Sequence, residues 1–382
     1  MTHTNGGSSV LAILLTLALF RSAQPARAPA TAAPERDEID RYVDGEMQQR
    51  GIPGVAVGVV RDGKIVKLAG YGVATLDHDV PVTPRTVFSI ASVDKQFTAV
   101  AVMLLVEEHE VSLDEPIRRY LPEAPASWNE IRIRHLLTHT SGLGDAAQEV
   151  ADARRVYTRY TTRDLLQGIL STRPDSPPGT RWHYSGDGFL LLQLLVERVS
   201  GLEYHQFLSP RVLQPLEMTD TRVLRPLDVR RHRATHYERG AAGTLQAYPY
   251  LLTDWDLRND IGTTITDFAT WAAALDSGQL LSTASFKEMW SPAVLSDGNP
   301  VQFRALTESF NSYGFGWILG TFRGHRTIAH AGYAGAAILR LPDDRVSIVV
   351  EFPGFSGDAF SAVCEPLRIA LDSHRRDDCG DA

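Results

Sequence analysis

The sequence predicts an α/β (α+β) protein, with one antiparallel sheet flanked by helices from the two ends of the chain and a mostly helical domain inserted between the sheet's halves. Three observations carry this. A β-hairpin pattern stands near the start, a β-meander pattern stands near the end, and the long stretch between them reads as helix and loop. An isolated hairpin is marginal in water and needs further strands. The simplest solution therefore merges both β regions into a single sheet, and the cleft between such a sheet lobe and a helical lobe is a favoured binding site.

In chain order, Glu35 to Arg50 carries apolar residues at Ile39, Tyr42, Val43 and Met47, the stripe of an amphipathic helix. Val55–Arg61 and Lys64–Val73 are β-rich runs joined by Asp62-Gly63, a dipeptide suited to a turn with positive φ at both central residues. Ser92 to Glu108 reads as a helix with Phe97, Ala101, Leu104 and Leu105 on one face. Gly186–Ser200 is a leucine-rich helix stopped by Gly201. Tyr313–Phe322, Thr327–His330, Gly335–Leu341 and Val346–Phe352 read as strands, with Pro342-Asp343-Asp344 as a turn, and Ala359 to Ser373 as a closing helix despite Pro366. The sheet lobe is expected at about residues 35–90 and 305–372 and the helical lobe at about 91–304, all within one domain spanning 31–372 and followed by a tail at 373–382.

The chain has 382 residues and a formal net charge of −8, and an acidic balance argues against nucleic acid as a partner, whose phosphates need a basic face. Val10 to Phe20 is a run of 11 residues, apolar apart from Thr16, which suits the core of a signal peptide and is short for a membrane span. Ala28-Pro29-Ala30 supplies an A-x-A cleavage pattern, although Met1 to Ser9 carries no Lys or Arg. The expectation is a signal peptide over residues 1–30, an exported (periplasmic or secreted) product and no stable membrane span after processing. Cys364 and Cys379 allow either a bridge pinning the tail or two separate thiols.

Only four lysines occur, at Lys64, Lys67, Lys95 and Lys287, so one beside a potential nucleophile stands out. Ser92-Val93-Asp94-Lys95 is an S-x-x-K at the start of a predicted helix, where free N–H groups favour negative charge on an attacked carbonyl. Residues three apart share a helix face, so Lys95 can reach the Ser92 hydroxyl. A desolvated lysine can lose its proton and serve as base to the hydroxyl. The plain alternative is a helix-capping serine beside a solvated lysine.

Further landmarks follow in order. The segment Phe88-Ser89-Ile90-Ala91-Ser92-Val93-Asp94-Lys95-Gln96-Phe97-Thr98-Ala99 resembles the nucleophile segment of the serine β-lactamase and penicillin-binding-protein superfamily, particularly its class C-like branch with esterase and D-aminopeptidase relatives. Ile133 to Leu143 (IRHLLTHTSGL), Pro178-Gly179 before Tyr184-Ser185-Gly186, Pro215 to Thr221, Gly262 to Trp271, Gly314-Phe315-Gly316-Trp317 and His330-Ala331-Gly332 are similar to that family's motifs in the same order. The resemblance covers about residues 38 to 372 and implies the β-lactamase/transpeptidase-like fold. It also implies roles. Ser92 would be acylated, Lys95 would accept its proton, and Tyr184 would be the second base, its phenol acidified by Lys95. The backbone N–H groups of Ser92 and Tyr333 would form an oxyanion hole, and His330 with Gly332 would supply the third motif. No cofactor and no metal is implied, and the partner would be a small ester, amide or β-lactam-like molecule.

Two departures bear on the substrate. Gly186 stands where the family's Y-x-N has Asn, with Asp187 the nearest polar substitute for binding an acyl side chain. His330 stands where many relatives have Lys, and an imidazole is mostly neutral at pH 7 and holds a carboxylate poorly. Both changes point away from β-lactams and D-Ala-D-Ala carboxypeptidation, towards esters or amides of an N-terminal D-residue. A β-lactamase or carboxypeptidase remains the alternative within hydrolases, and a catalytically silent binding protein of the same fold is the alternative outside them. His135 and His139 have the i, i+4 spacing of a zinc helix but lack the Glu of H-E-x-x-H, so they are expected to satisfy local backbone groups. There is no G-x-S-x-G, and the arginines from Arg222 to Arg233 read as a solvated loop.

Overall fold

The computed structural model describes residues 36–145, 162–224, 229–240, 243–247, 261–302, 310–333, 335–354 and 361–370. The expected export segment, the tail and Cys379 lie outside the described residues.

The first helix, α1 (Glu38–Arg50), begins where Asp37 accepts the N–H of Asp40 and Asp40 reciprocates, a box that satisfies two otherwise free helix-end donors. It ends at Gly51, whose φ of 60° is the left-handed stop glycine accepts easily. The hairpin follows as β1 (Gly54–Arg61) and β2 (Lys64–Thr75), with Asp62 and Gly63 at φ 51° and 71°. After β3 (Val80–Pro81) and β4 (Val87–Ser89), the chain enters a 3₁₀ turn at Ala91–Asp94 and then α2 (Lys95–Glu107). Ser92 therefore lies on a tighter turn ahead of the α-helix, where a single helix over Ser92–Glu108 was expected.

The middle of the chain supplies α3 (Ile133–Leu137), α4 (Thr162–Leu170), α5 (Gly186–Ser200) and α6 (Tyr204–Leu208), with α5 stopping at Gly201 as its sequence predicts. Short strands β5 (Arg222–Val223), β6 (Tyr237–Arg239), β7 (Leu245–Ala247) and β8 (Ile261–Thr264) lead to α7 (Ile265–Ala274) and α8 (Thr283–Met289). The return to β structure is β9 (Phe310–Tyr313), β10 (Ile318–Phe322), β11 (His325–Gly332), β12 (Ala336–Leu341) and β13 (Val346–Glu351), closed by α9 (Ser361–Ala370). The single strand expected over Tyr313–Phe322 is two strands, because Gly316 at φ 74° turns the chain between them.

Both ends of the chain do merge into one antiparallel sheet, in the order β3-β2-β1-β13-β12-β11-β10-β9. β1 and β13 make the join, with Val57 opposite Val350 and Val59 opposite Ile348. Alternate residues of these strands serve two cores. Val57, Ile348 and Val350 pack with Ile39 and Val43 of α1 and Val363 of α9. Ala56, Ile338 and Val349 face the helical middle, where Phe97 of α2 and Trp271 of α7 stack with ring centroids 4.1 Å apart. Trp271 is fully buried, and its indole N–H donates to Gln96 Oε1 at 2.9 Å, so its one polar atom is satisfied. A second small sheet, β4-β8-β5, lies beside the 3₁₀ turn, since Ile90 N–H donates to Ile261 O. Residues from Asp37 onward form one compact unit.

Candidate active site

Ala91, immediately before Ser92, has φ 41°, a left-handed conformation that a side chain adopts at a cost. This kink between β4 and α2 sets Ser92 on the 3₁₀ turn with Lys95 one turn later, and Lys95 Nζ donates to Ser92 Oγ at 3.3 Å. Lys95 is buried, with its ammonium 5.3 Å from the ring centre of Tyr184 and 5.5 Å from that of Phe189. The Tyr184 side chain also lies close enough to the amine to raise its pKa. The structure thus brings together the hydroxyl, amine and phenol that the sequence sets 92 residues apart at its extremes.

Burial alone would push the Lys95 pKa down, but Tyr184, Asp94 and Asp145 more than offset it and the pKa is raised. Desolvation was expected to neutralise this amine, yet its surroundings favour the ammonium. Asp94, 3.9 Å from Lys95 Nζ and buried, is pushed by desolvation to about 7 despite that cation.

The segment His330-Ala331-Gly332 reaches the Ser92 turn through a close backbone approach. A Cβ on Gly332 would stand 2.1 Å from Ile90 O and 3.3 Å from Ala91 Cβ, so only glycine lets the end of β11 lie against the turn that carries Ser92. Tyr333 follows directly, and its side chain is exposed. Gly316 packs as tightly on α2, where a Cβ would stand 2.7 Å from Lys95 O.

The second motif opens α5. Ser185 caps this helix by accepting Gly188 N–H at 3.2 Å, and its hydroxyl donates to Gly144 O at 2.7 Å. Gly186 N–H donates to Asp145 Oδ1 at 2.5 Å, and a Cβ on Gly186 would stand 3.4 Å from that oxygen. The Asp145 carboxylate therefore sits beside the place where a side chain at position 186 would project. Asp187, the polar substitute suggested by sequence, is buried in the first turn of α5.

Sequence reasoning did not find Asp145, and it did not find Tyr313. The Tyr313 hydroxyl lies 3.1 Å from His139 Nε2 and 3.1 Å from His330 Nε2. His139 Nδ1 accepts Ser185 N–H at 3.1 Å, and His135 Nδ1 accepts Arg132 N–H at 3.2 Å, so both histidines of the i, i+4 pair serve backbone groups. The His139 ring also packs against Tyr184 at a tilt of 35°, with centroids 4.3 Å apart. Burial, with the nearby Lys95 charge, holds His330 at about 3 and His139 well below the ordinary imidazole range. His330 is 2% exposed, and its Nδ1 lies 2.9 Å from Ala331 O.

The sequence profile of the beta-lactamase family matches residues 39–370 of the chain. A beta-lactamase of Escherichia coli (strain K12) is 32% identical over 248 residues, covering 63% of this chain and 61% of its own length. The chain thus spans about three fifths of that relative. Among solved structures, the octameric penicillin-binding protein homologue of Pyrococcus abyssi superposes with a TM-score of 0.76 at 23% identity, covering 88% of this chain and 77% of its own. The D-amino acid amidase of Ochrobactrum anthropi SV3 superposes with a TM-score of 0.73 at 24% identity, covering 87% and 97%. At these identities the two structures establish a shared fold.

Proposed function

The chain belongs to the beta-lactamase family, and from that premise we propose that it is a serine hydrolase forming an acyl-enzyme on Ser92 with ester or amide substrates. The observation that carries this is the 3.3 Å contact between Ser92 Oγ and Lys95 Nζ, with the Tyr184 ring centre 5.3 Å from the same amine.

Because the site favours Lys95 as an ammonium, Tyr184 is the base in this reading. Lys95 holds negative charge on the phenol oxygen while that oxygen takes the Ser92 proton. Ser92 Oγ then bonds to the substrate carbonyl carbon, and the backbone N–H groups of Ser92 and Tyr333 stabilise the resulting oxyanion. The carbon–heteroatom bond breaks, and Tyr184 returns the proton to the leaving group. Water attacks the ester by the reverse proton path and releases Ser92.

A neutral His330 gives a substrate carboxylate no cation to bind, which favours neutral esters and amides over β-lactams. The Asp145 carboxylate beside Gly186 favours a second, narrower reading, an acyl group carrying a free ammonium, as in an amino acid amide. The test mixes the protein with a chromogenic acetyl or butyryl ester, a chromogenic cephalosporin and a D-aminoacyl amide, and reads turnover and adduct mass. Ester or amide turnover with an acyl adduct mapped to Ser92 is expected. Folded protein with neither turnover nor adduct would overturn the proposal, and rapid cephalosporin turnover would overturn the substrate preference. Export is the companion reading, and N-terminal sequencing of the product recovered outside the cytoplasm would find residues 1–30 removed.

A further inference from the structure

We propose that Tyr313 is a positioning residue whose single hydroxyl locks His139 and His330 in complementary neutral tautomers, tying the second motif to the third around Tyr184. Two backbone groups with fixed hydrogen-bonding roles set the polarity at either end. Ser185 N–H can only donate, so His139 Nδ1, 3.1 Å away, must present a lone pair, and the His139 proton lies on Nε2. Ala331 C=O can only accept, so His330 Nδ1, 2.9 Å away, must carry the proton, and His330 Nε2 presents a lone pair. The two rings therefore meet Tyr313 with opposite polarity. One offers N–H and the other a lone pair, each at 3.1 Å from the same oxygen. A hydroxyl is the group that accepts from one and donates to the other, and its one proton completes a directed chain from Ser185 N–H to Ala331 O.

An extra proton fits nowhere on this chain. An imidazolium at His330 would aim Nε2–H at the tyrosine oxygen, so both imidazoles would donate to it and the hydroxyl proton would lose its acceptor in the chain. An imidazolium at His139 would set Nδ1–H against Ser185 N–H. The groups around the relay act in the same direction. Lys95 on α2 faces both imidazoles, and His183 and His330 face His139, while Tyr184 and Asp94 face Tyr313. His139 also holds φ 57°, a strained backbone angle that persists only when its surroundings over-determine it. The relay leaves Lys95 as the cation beside Tyr184, braces the Tyr184 ring through its tilted contact with His139, and keeps the third motif uncharged. His330 then acts through its neighbours, since both its nitrogens are engaged within the protein.

This inference rests on the proposed role of Tyr184, and its first test needs no substrate. Nitrogen-15 NMR of selectively labelled histidines in the full protein should show His139 with its proton on Nε2 and His330 with its proton on Nδ1. Neither should titrate between pH 5 and pH 8. The opposite tautomer at either ring, or titration of either ring in that window, would overturn the relay, whatever Ser92 does. The second test is Tyr313→Phe, which removes a donor from His330 and an acceptor from His139. With the neutral forms less favoured, the acid limb of kcat/KM on the best ester should move up by about one pH unit. His330→Asn, which cannot carry the extra proton, should lose that shift in the Tyr313→Phe background. Superimposable pH profiles for Tyr313→Phe and the parent would overturn the proposal, as would a uniform drop at every pH, which is what a merely structural defect would give.

Discussion

At Ser92 the surroundings do more than present a hydroxyl. Ala91 at φ 41° turns the chain so that Lys95 lies 3.3 Å from Oγ, and Gly332 allows β11 to close on the same turn. Ser92→Ala should abolish the covalent adduct and lower kcat/KM by roughly a thousandfold or more, measured by ester turnover and intact mass. Lys95→Arg keeps a cation but replaces a compact ammonium with a planar fork in a buried slot, so it should lose roughly a hundredfold in kcat rather than rescue activity. Wild-type turnover by Lys95→Arg would mean that charge alone suffices. Gly332→Ala introduces a Cβ 2.1 Å from Ile90 O, a backbone atom that cannot step aside. The Ser92 turn and β11 must then separate, lowering stability by about 1–3 kcal/mol in a denaturant titration and kcat with it.

Among the elements, α1 offers the cleanest separation of stability from chemistry. Its N-terminus is held by the Asp37–Asp40 box, and Lys67 of β2 bridges both carboxylates at 2.7 and 2.6 Å. Asp37→Ala should cost about 1 kcal/mol of stability, read from a urea midpoint, and leave kcat unchanged, because the helix packs on the sheet face away from Ser92. Elements with a complete local signal were legible in the sequence. Asp62-Gly63 marks its own turn, and α5 starts and stops at residues that suit a helix start and a C-terminal glycine. Where signals run together they misled, as at Tyr313–Phe322, where aromatic residues alternating with glycines read as one strand and hide the turn at Gly316. The 3₁₀ turn at Ala91–Asp94 was invisible because a 3₁₀ turn and a first α-turn share the same side-chain types. Ser92, Lys95 and Tyr184 stand out as candidates because an S-x-x-K spacing and motifs resembling the family's carry them. Tyr313 and Asp145 do not, since each matters through partners remote in sequence, His139 lying 174 positions from Tyr313 and Gly186 lying 41 positions from Asp145.

Across the whole molecule, stability against pH is set by buried groups of opposite sign. His135 and His236, both near 4, and His330, near 3, bind protons more readily once unfolded, so each makes the fold more stable as pH rises towards 6.5. Glu351 works the other way. Burial raises its pKa well above the ordinary carboxylate value, with the Asp267 charge adding to the effect. It stands on β13 between Ala56 and Ala336, is 0% exposed, and neither carboxylate oxygen has a hydrogen-bond partner among the described residues. Below its unfolded pKa, near 4.5, it is protonated in both states and costs only the desolvation of a neutral acid. Above that pH the unfolded chain releases a proton that the folded chain keeps, so its contribution to stability declines as pH rises towards the folded pKa. Glu351→Met removes the group while keeping an unbranched chain of similar length in an apolar slot. The variant should gain about 1–3 kcal/mol over the parent at pH 7.5 in urea unfolding, and less at pH 4.5. A gain independent of pH would show that packing rather than ionisation governs this position. A loss at both pH values would show that the carboxyl has a stabilising partner.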